Sequence, residues 1–238
     1  MKHRVVLLTL LIAITTMGLT AQNEFGRKRK NPGGGNGDCI NLQRLPYEDV
    51  SDIERQYLLT MREEEKLARD VYNFLADRWN LRVFSRIALS ENKHMEAIKQ
   101  LLDKYGIPDP VGEDIPGQFS RGDFQELYTE LTAAGSAAIG EALKVGATIE
   151  DLDIYDLMKA IAESDSQDIL TVFQNLAKGS RNHLRSFVSH LQSLQISTVA
   201  QYISQALFDS IINSDPESGC YDATGNPNTI GNWWKESN

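Results

Sequence analysis

Glu91 and His94 stand three residues apart inside a helical apolar pattern, with Phe84, Ile87 and Ala88 before them and Ile98, Leu101 and Leu102 after. Spacings of three and four put the carboxylate, the imidazole and these apolar residues on one helix face. A charge turned into a core is strongly unfavourable unless it is paired or bound to a metal. Glu-x-x-His projecting inward from a bundle helix is one half of a two-ion carboxylate centre of iron or manganese. The other half has to come from three further helices.

The first of these carries Arg62-Glu63-Glu64-Glu65-Lys66. Glu65 falls on the stripe of Leu58, Met61, Ala68 and Tyr72, while Glu64 falls on a rival stripe through Tyr57, Leu67, Ala68 and Val71. Periodicity does not separate the two, and Glu63 fits a solvated acidic turn. On a third long helix Glu150 aligns with Gly146, Leu157 and Ile161, and Asp153 lies one turn on. Acidic residues near a helix start also serve as plain dipole partners. On a fourth, His183 shares a stripe with Leu176, Ser180, Phe187 and His190, where a hydrogen-bonded core imidazole is the rival reading. Tyr72 and Tyr155 are candidates to stand beside the ions or simply to pack. Carboxylate oxygens and neutral imidazoles suit iron or manganese, and the bundle has no cysteine to favour thiolate-bound zinc. With fewer than six protein ligands per ion, positions stay open for water, dioxygen or peroxide.

The elements that must position these residues read as follows. Residues 1–21 form a secretory signal: Lys2, His3 and Arg4, an apolar run from Val5 to Ile14, and a small-residue end at Ala21. Cleavage near Ala21 implies a secreted or periplasmic protein with no membrane span. Residues 22–45, basic and then Gly-rich, read as a flexible linker. Residues 46–194 read as an all-α, ferritin-like four-helix bundle. Its long helices cover about Tyr47–Trp79, residues 83–104, a third ending near Ala162, and Ser166–Leu194. A long crossover between helices two and three holds a short helix, Asp123–Ala134, and an ambiguous stretch from Gly135 to Gly146. Residues 195–238 supply an extra C-terminal helix, Ser197–Ile212, and a Gly/Asn/Pro-rich tail with no periodic pattern. Cys39 and Cys220 flank the helical region and, in an oxidising compartment, form one disulfide. The net charge of −9 excludes nucleic acid as an obvious partner and favours cations; a homo-oligomer is compatible with the composition.

Glu65-Lys-Leu-Ala68-Arg69-Asp-Val-Tyr72 resembles the first-helix motif of rubrerythrin-type ferritin-like proteins, and Glu91-x-x-His94 resembles their second-helix motif. The strings MREEEKLARDVY, SENKHM, ALKVGATIEDLDIYDL and GSRNHLRSF resemble domain-of-unknown-function family 2202, over roughly residues 50–192. The resemblance implies two iron (or manganese) ions per chain held by Glu65, Glu91, His94, Glu150 and His183, with Glu91 bridging and Tyr72 and Ser180 beside the ligands. Ser180 departs from the pattern, because rubrerythrin-like proteins carry there the Glu of a second Glu-x-x-His. Asp153 is the candidate replacement; otherwise one metal position is weak. The implied chemistry is ferrous iron oxidation or peroxide reduction. The alternatives are an exported metal-binding or stress-related protein without catalysis, and a metal-free polar network in a partner-binding bundle. No rubredoxin-like Cys-x-x-Cys knuckle is present, which removes the electron relay of a rubrerythrin.

Overall fold

The first helix starts where Ser51 and Glu54 cap one another. The Ser51 hydroxyl accepts from the Glu54 N–H at 3.3 Å, and the Glu54 carboxylate accepts from the Ser51 N–H at 2.9 Å. This helix, α1 (Asp52–Trp79), ends at Asn80, whose left-handed φ of 50° reverses the chain. The second helix, α2 (Arg82–Lys104), begins two residues later, so the pair forms an antiparallel hairpin. The structure, a computed structural model, describes Leu42 and residues 45–228. Four further helices follow among the described residues: α3 (Gly122–Gly135), α4 (Ile139–Glu163), α5 (Gln167–Ser193) and α6 (Gln205–Ile212). Two short strands, β1 (Cys220–Tyr221) and β2 (Pro227–Asn228), pair antiparallel. No described helix is long and apolar enough to cross a membrane. The expected signal, most of the linker and Cys39 lie outside the described residues; Cys220 opens β1.

The fold is the expected all-α bundle with an extra C-terminal helix. Two apolar clusters fix the helix directions. One gathers Leu75, Phe84, Leu143 and Phe187, from the end of α1, the start of α2, the start of α4 and the end of α5. The other gathers Leu58, Leu101, Leu157 and Phe173, from the opposite ends of the same helices. Hence α1 and α2 are antiparallel, α4 and α5 are antiparallel, and α4 runs parallel to α2. The chain between α2 and α4 must therefore travel the length of the bundle, as the crossover reading requires.

That crossover is fastened along α1 by charge. Asp109 accepts from the Arg62 guanidinium at 2.9 Å, and the Arg69 guanidinium holds both Asp114 oxygens at 2.5 Å. The fully buried Lys66 ammonium donates to Asp70 at 2.6 Å and to the Ile115 carbonyl at 2.9 Å. Glu63, expected in solvent, is buried and accepts from the Ser120 hydroxyl at 2.8 Å. At the far end, Glu54 also accepts from the N–H groups of Asp165 and Ser166, at 3.1 and 2.9 Å, capping the turn into α5.

Two readings need correction. The segment 197–204 is not helical: Asp151, fully buried, captures the N–H groups of Gln201, Tyr202 and Ile203, and α6 starts only after Ser204 caps it. Leu42, in the stretch read as linker, is buried against the second apolar cluster. The C-terminal tail, for which periodicity offered nothing, straps onto α5 through Glu217 on Arg181 and Arg185, and through Tyr221 on Asn175.

Candidate metal centre

Between the two apolar clusters the bundle interior turns polar. Glu65 on α1, Glu91 and His94 on α2, Glu150 on α4 and His183 on α5 all project into this layer and are buried. His94 Nδ1 lies 3.1 Å from Glu65 Oε2 and 2.7 Å from Glu91 Oε2. His183 Nδ1 lies 2.8 Å from Glu91 Oε1 and 3.4 Å from Glu150 Oε2. The two imidazoles stack with centroids 5.6 Å apart. The result is two triads, Glu65–Glu91–His94 and Glu91–Glu150–His183, each with its donor atoms within 4.8 Å of one another. Glu91 belongs to both, one oxygen facing each histidine.

The donors crowd together without satisfying each other. Glu65 Oε1, Glu91 Oε1 and His183 Nδ1 are buried and have no hydrogen-bond partner, although His183 Nδ1 and Glu91 Oε1 are at contact distance. Buried polar atoms are nearly always paired, so these atoms, crowded yet short of hydrogen-bond geometry, suit a group that accepts lone pairs. A cation does so, and the hard-oxygen and imidazole set fits iron or manganese.

Protons take part of that role when no metal is bound. Burial disfavours charged imidazoles, but the facing carboxylates outweigh it: His183 is raised to about 10 and His94 well above the ordinary histidine range. Burial pushes Glu65 up to about 8 against the pull of His94. Burial acts to raise Glu91 as well, yet His183 and His94 prevail and hold it below the usual carboxylate range. Burial also raises Glu150 and, more strongly, Asp153. A metal ion held in the layer would have to displace these protons.

Asp153 does not join either triad. Its carboxylate accepts from the Ser180 hydroxyl, in the same layer and close enough to feel the charges of Glu65, Glu150 and Glu91. Ser180 and Asp153 thus occupy jointly the corner where a second Glu-x-x-His carboxylate would project. Tyr72, fully buried, donates to Glu150 Oε1 at 2.6 Å and orients it. Tyr155 is 47% exposed and plays no part in the layer. His190 is only half-buried near the end of α5, with Nδ1 at 2.7 Å from the Ser186 carbonyl.

A family model described as an uncharacterized protein domain, DUF2202, matches residues 54–215, a span that contains every residue of this layer. The chain belongs to the DUF2202 family. Uncharacterized protein MJ0754 of Methanocaldococcus jannaschii is 51% identical over 178 residues, 75% of this chain and 96% of that protein. A crystal structure titled as hypothetical protein MJ0754 superposes with a TM-score of 0.72, covering 73% of this chain and 99% of that one.

One feature of this DUF2202 bundle escaped the sequence reading, and one that it left open is settled. Gly179 sits against His94: a Cβ there would lie 2.5 Å from Nε2 and 2.6 Å from Cε1. The glycine, inside the quoted string GSRNHLRSF, leaves the space that the imidazole fills. Glu64 is also inward, with Oε2 buried and unpartnered on the opposite side of α1 from the crossover contacts of Arg62 and Arg69. Burial, with Asp156 and Asp153 nearby, pushes its carboxyl well up. Both rival stripes of α1 are therefore real, because α2, α3 and α4 all pack against this helix.

Proposed function

We propose that this protein holds two iron or manganese ions per chain, bridged by Glu91, and uses them to oxidise ferrous iron or reduce peroxide. The observation that carries the reading is the pair of triads sharing Glu91, with buried donor atoms on Glu65, Glu91 and His183 that lack a hydrogen bond of good geometry. When bound, two ferrous ions together supply the two electrons that take dioxygen to hydrogen peroxide or peroxide to water. Glu65 and His94 would hold one ion, Glu150 and His183 the other. Tyr72 keeps Glu150 aimed inward by donating to Oε1. Asp153, whose carboxyl burial pushes well up, accepts from Ser180 at the edge of the layer, where a proton-holding carboxyl would serve the reduction. The apolar clusters above and below limit water to the layer itself. The signal-like sequence of residues 1–21 supports export of the protein in the same reading.

The test loads metal-free protein anaerobically with ferrous iron and then admits dioxygen or hydrogen peroxide, following ferric iron by absorbance and oxidant by electrode. Rapid oxidation in the wild type that is lost in Glu91→Ala supports the reading. Two ions bound but inert toward both oxidants leave the non-catalytic, exported metal-binding protein as the answer.

A further inference from the structure

A small cleft of about 40 Å³ lies on the side of α1 away from α2, between α1, α3 and α4. Its walls are mainly apolar, chiefly Leu67, Phe124, Leu131 and Leu152, and its polar lining is Glu64, Thr148, Asp153 and Tyr202. Asp153 is the wall shared with the candidate centre: it lines the cleft and its carboxylate is bonded to Ser180 within the polar layer. Tyr202 stands at the cleft as well, fixed there because Asp151 takes its N–H at 3.1 Å along with those of both neighbours.

We propose that this cleft is the route by which a small nonpolar oxidant of dioxygen's size reaches the ions, entering past Leu152 and Tyr202 and arriving at Asp153. This rests on the functional reading above. The volume admits only a few heavy atoms, and apolar walls give a hydrated cation or an anionic substrate nothing to replace its water. Cavities with mainly apolar walls take up nonpolar guests, xenon among them. Glu64 Oε2, buried without a partner, and Asp153 make up the polar end of the cleft, opposite its apolar walls. Leu152 is the residue to alter, since it lines the cleft on α4 and carries no donor atom of either triad.

The experiment uses the full chain in two forms. Metal-free protein is pressurised with xenon and read by xenon NMR or anomalous scattering, for the wild type, Leu152→Trp and, should the Trp variant misfold, Leu127→Phe. Iron-loaded protein is assayed for ferrous oxidation at limiting dioxygen. The expected result is xenon seated in the wild-type cleft and absent from the filled variants, which still bind the wild-type amount of iron but oxidise it at least tenfold more slowly. An empty wild-type cleft under xenon overturns the route even in a chain that oxidises iron. Filled variants that exclude xenon yet react at the wild-type rate overturn it too, and place entry at the imidazole edges between α2 and α5. Xenon in the cleft of a protein that takes up no metal refutes the functional reading, and the route with it.

Discussion

Substituting Gly179 by alanine tests the geometry of the centre without removing any donor atom. The added Cβ would sit 2.5 Å from His94 Nε2, whereas ordinary contact begins at 3.4 Å. The ring must therefore withdraw by roughly 1 Å, several times the ~0.2 Å tolerance of a metal–ligand bond. Alanine in mid-helix gains about 1 kcal/mol over glycine, and overpacking costs about 1–3 kcal/mol, so the fold should lose no more than about 2 kcal/mol. Metal affinity should suffer far more, by about 10–100-fold, the usual effect of disturbing what holds a ligating histidine. Calorimetric titration of iron or manganese into Gly179→Ala, beside a urea melt, separates the two effects. A variant that melts near the wild type and binds both ions with wild-type affinity would refute the placement of His94 as a ligand.

Other residues give independent checks. Tyr72→Phe removes the donor to Glu150 Oε1; titration should show one weakened site beside one unchanged, because Glu65 and His94 do not depend on that hydroxyl. Asp70→Ala leaves the buried Lys66 ammonium without its 2.6 Å partner, and should destabilise by about 3–5 kcal/mol in denaturant melts; Lys66→Met in the same chain should restore much of that loss. Burial opposes the charged form of Glu217, but Arg181 and Arg185 outweigh it and hold its pKa at about 2. A depressed folded-state pKa contributes stability that is present above the unfolded carboxylate value, about 4.3, and is lost as pH falls from there toward 2. Glu217→Gln should flatten that part of the pH–stability curve; an unchanged slope would show that the C-terminal strap is not held by this carboxylate.

What the sequence made legible was whatever depends on helical period. Glu91 and His94 could be read because α2 is buried on one stripe only, so a polar residue on that stripe stands out. Glu64 and Glu65 could not be separated because α1 is covered on several sides, by α2, by α4 and by α3, and a helix buried nearly all round loses the contrast that periodicity needs. Glu63 looked solvated for the same reason: its partner Ser120 is 57 positions away, and only the folded crossover brings it near. Asp151 drew no reading from the sequence, yet it organises residues 201–203 and forestalls a longer last helix. Gly179 carried no signal at all, since its role is the absence of a side chain where another helix delivers an imidazole.

The most direct measurement is metal content per chain after loading and desalting, for the wild type, Glu65→Ala and Glu91→Ala, with helicity checked by circular dichroism. Two triads that share one carboxylate predict about two ions in the wild type, about one in Glu65→Ala and almost none in Glu91→Ala. A folded wild type that retains neither iron nor manganese, or a Glu91→Ala variant that keeps both ions, would contradict the shared-carboxylate centre.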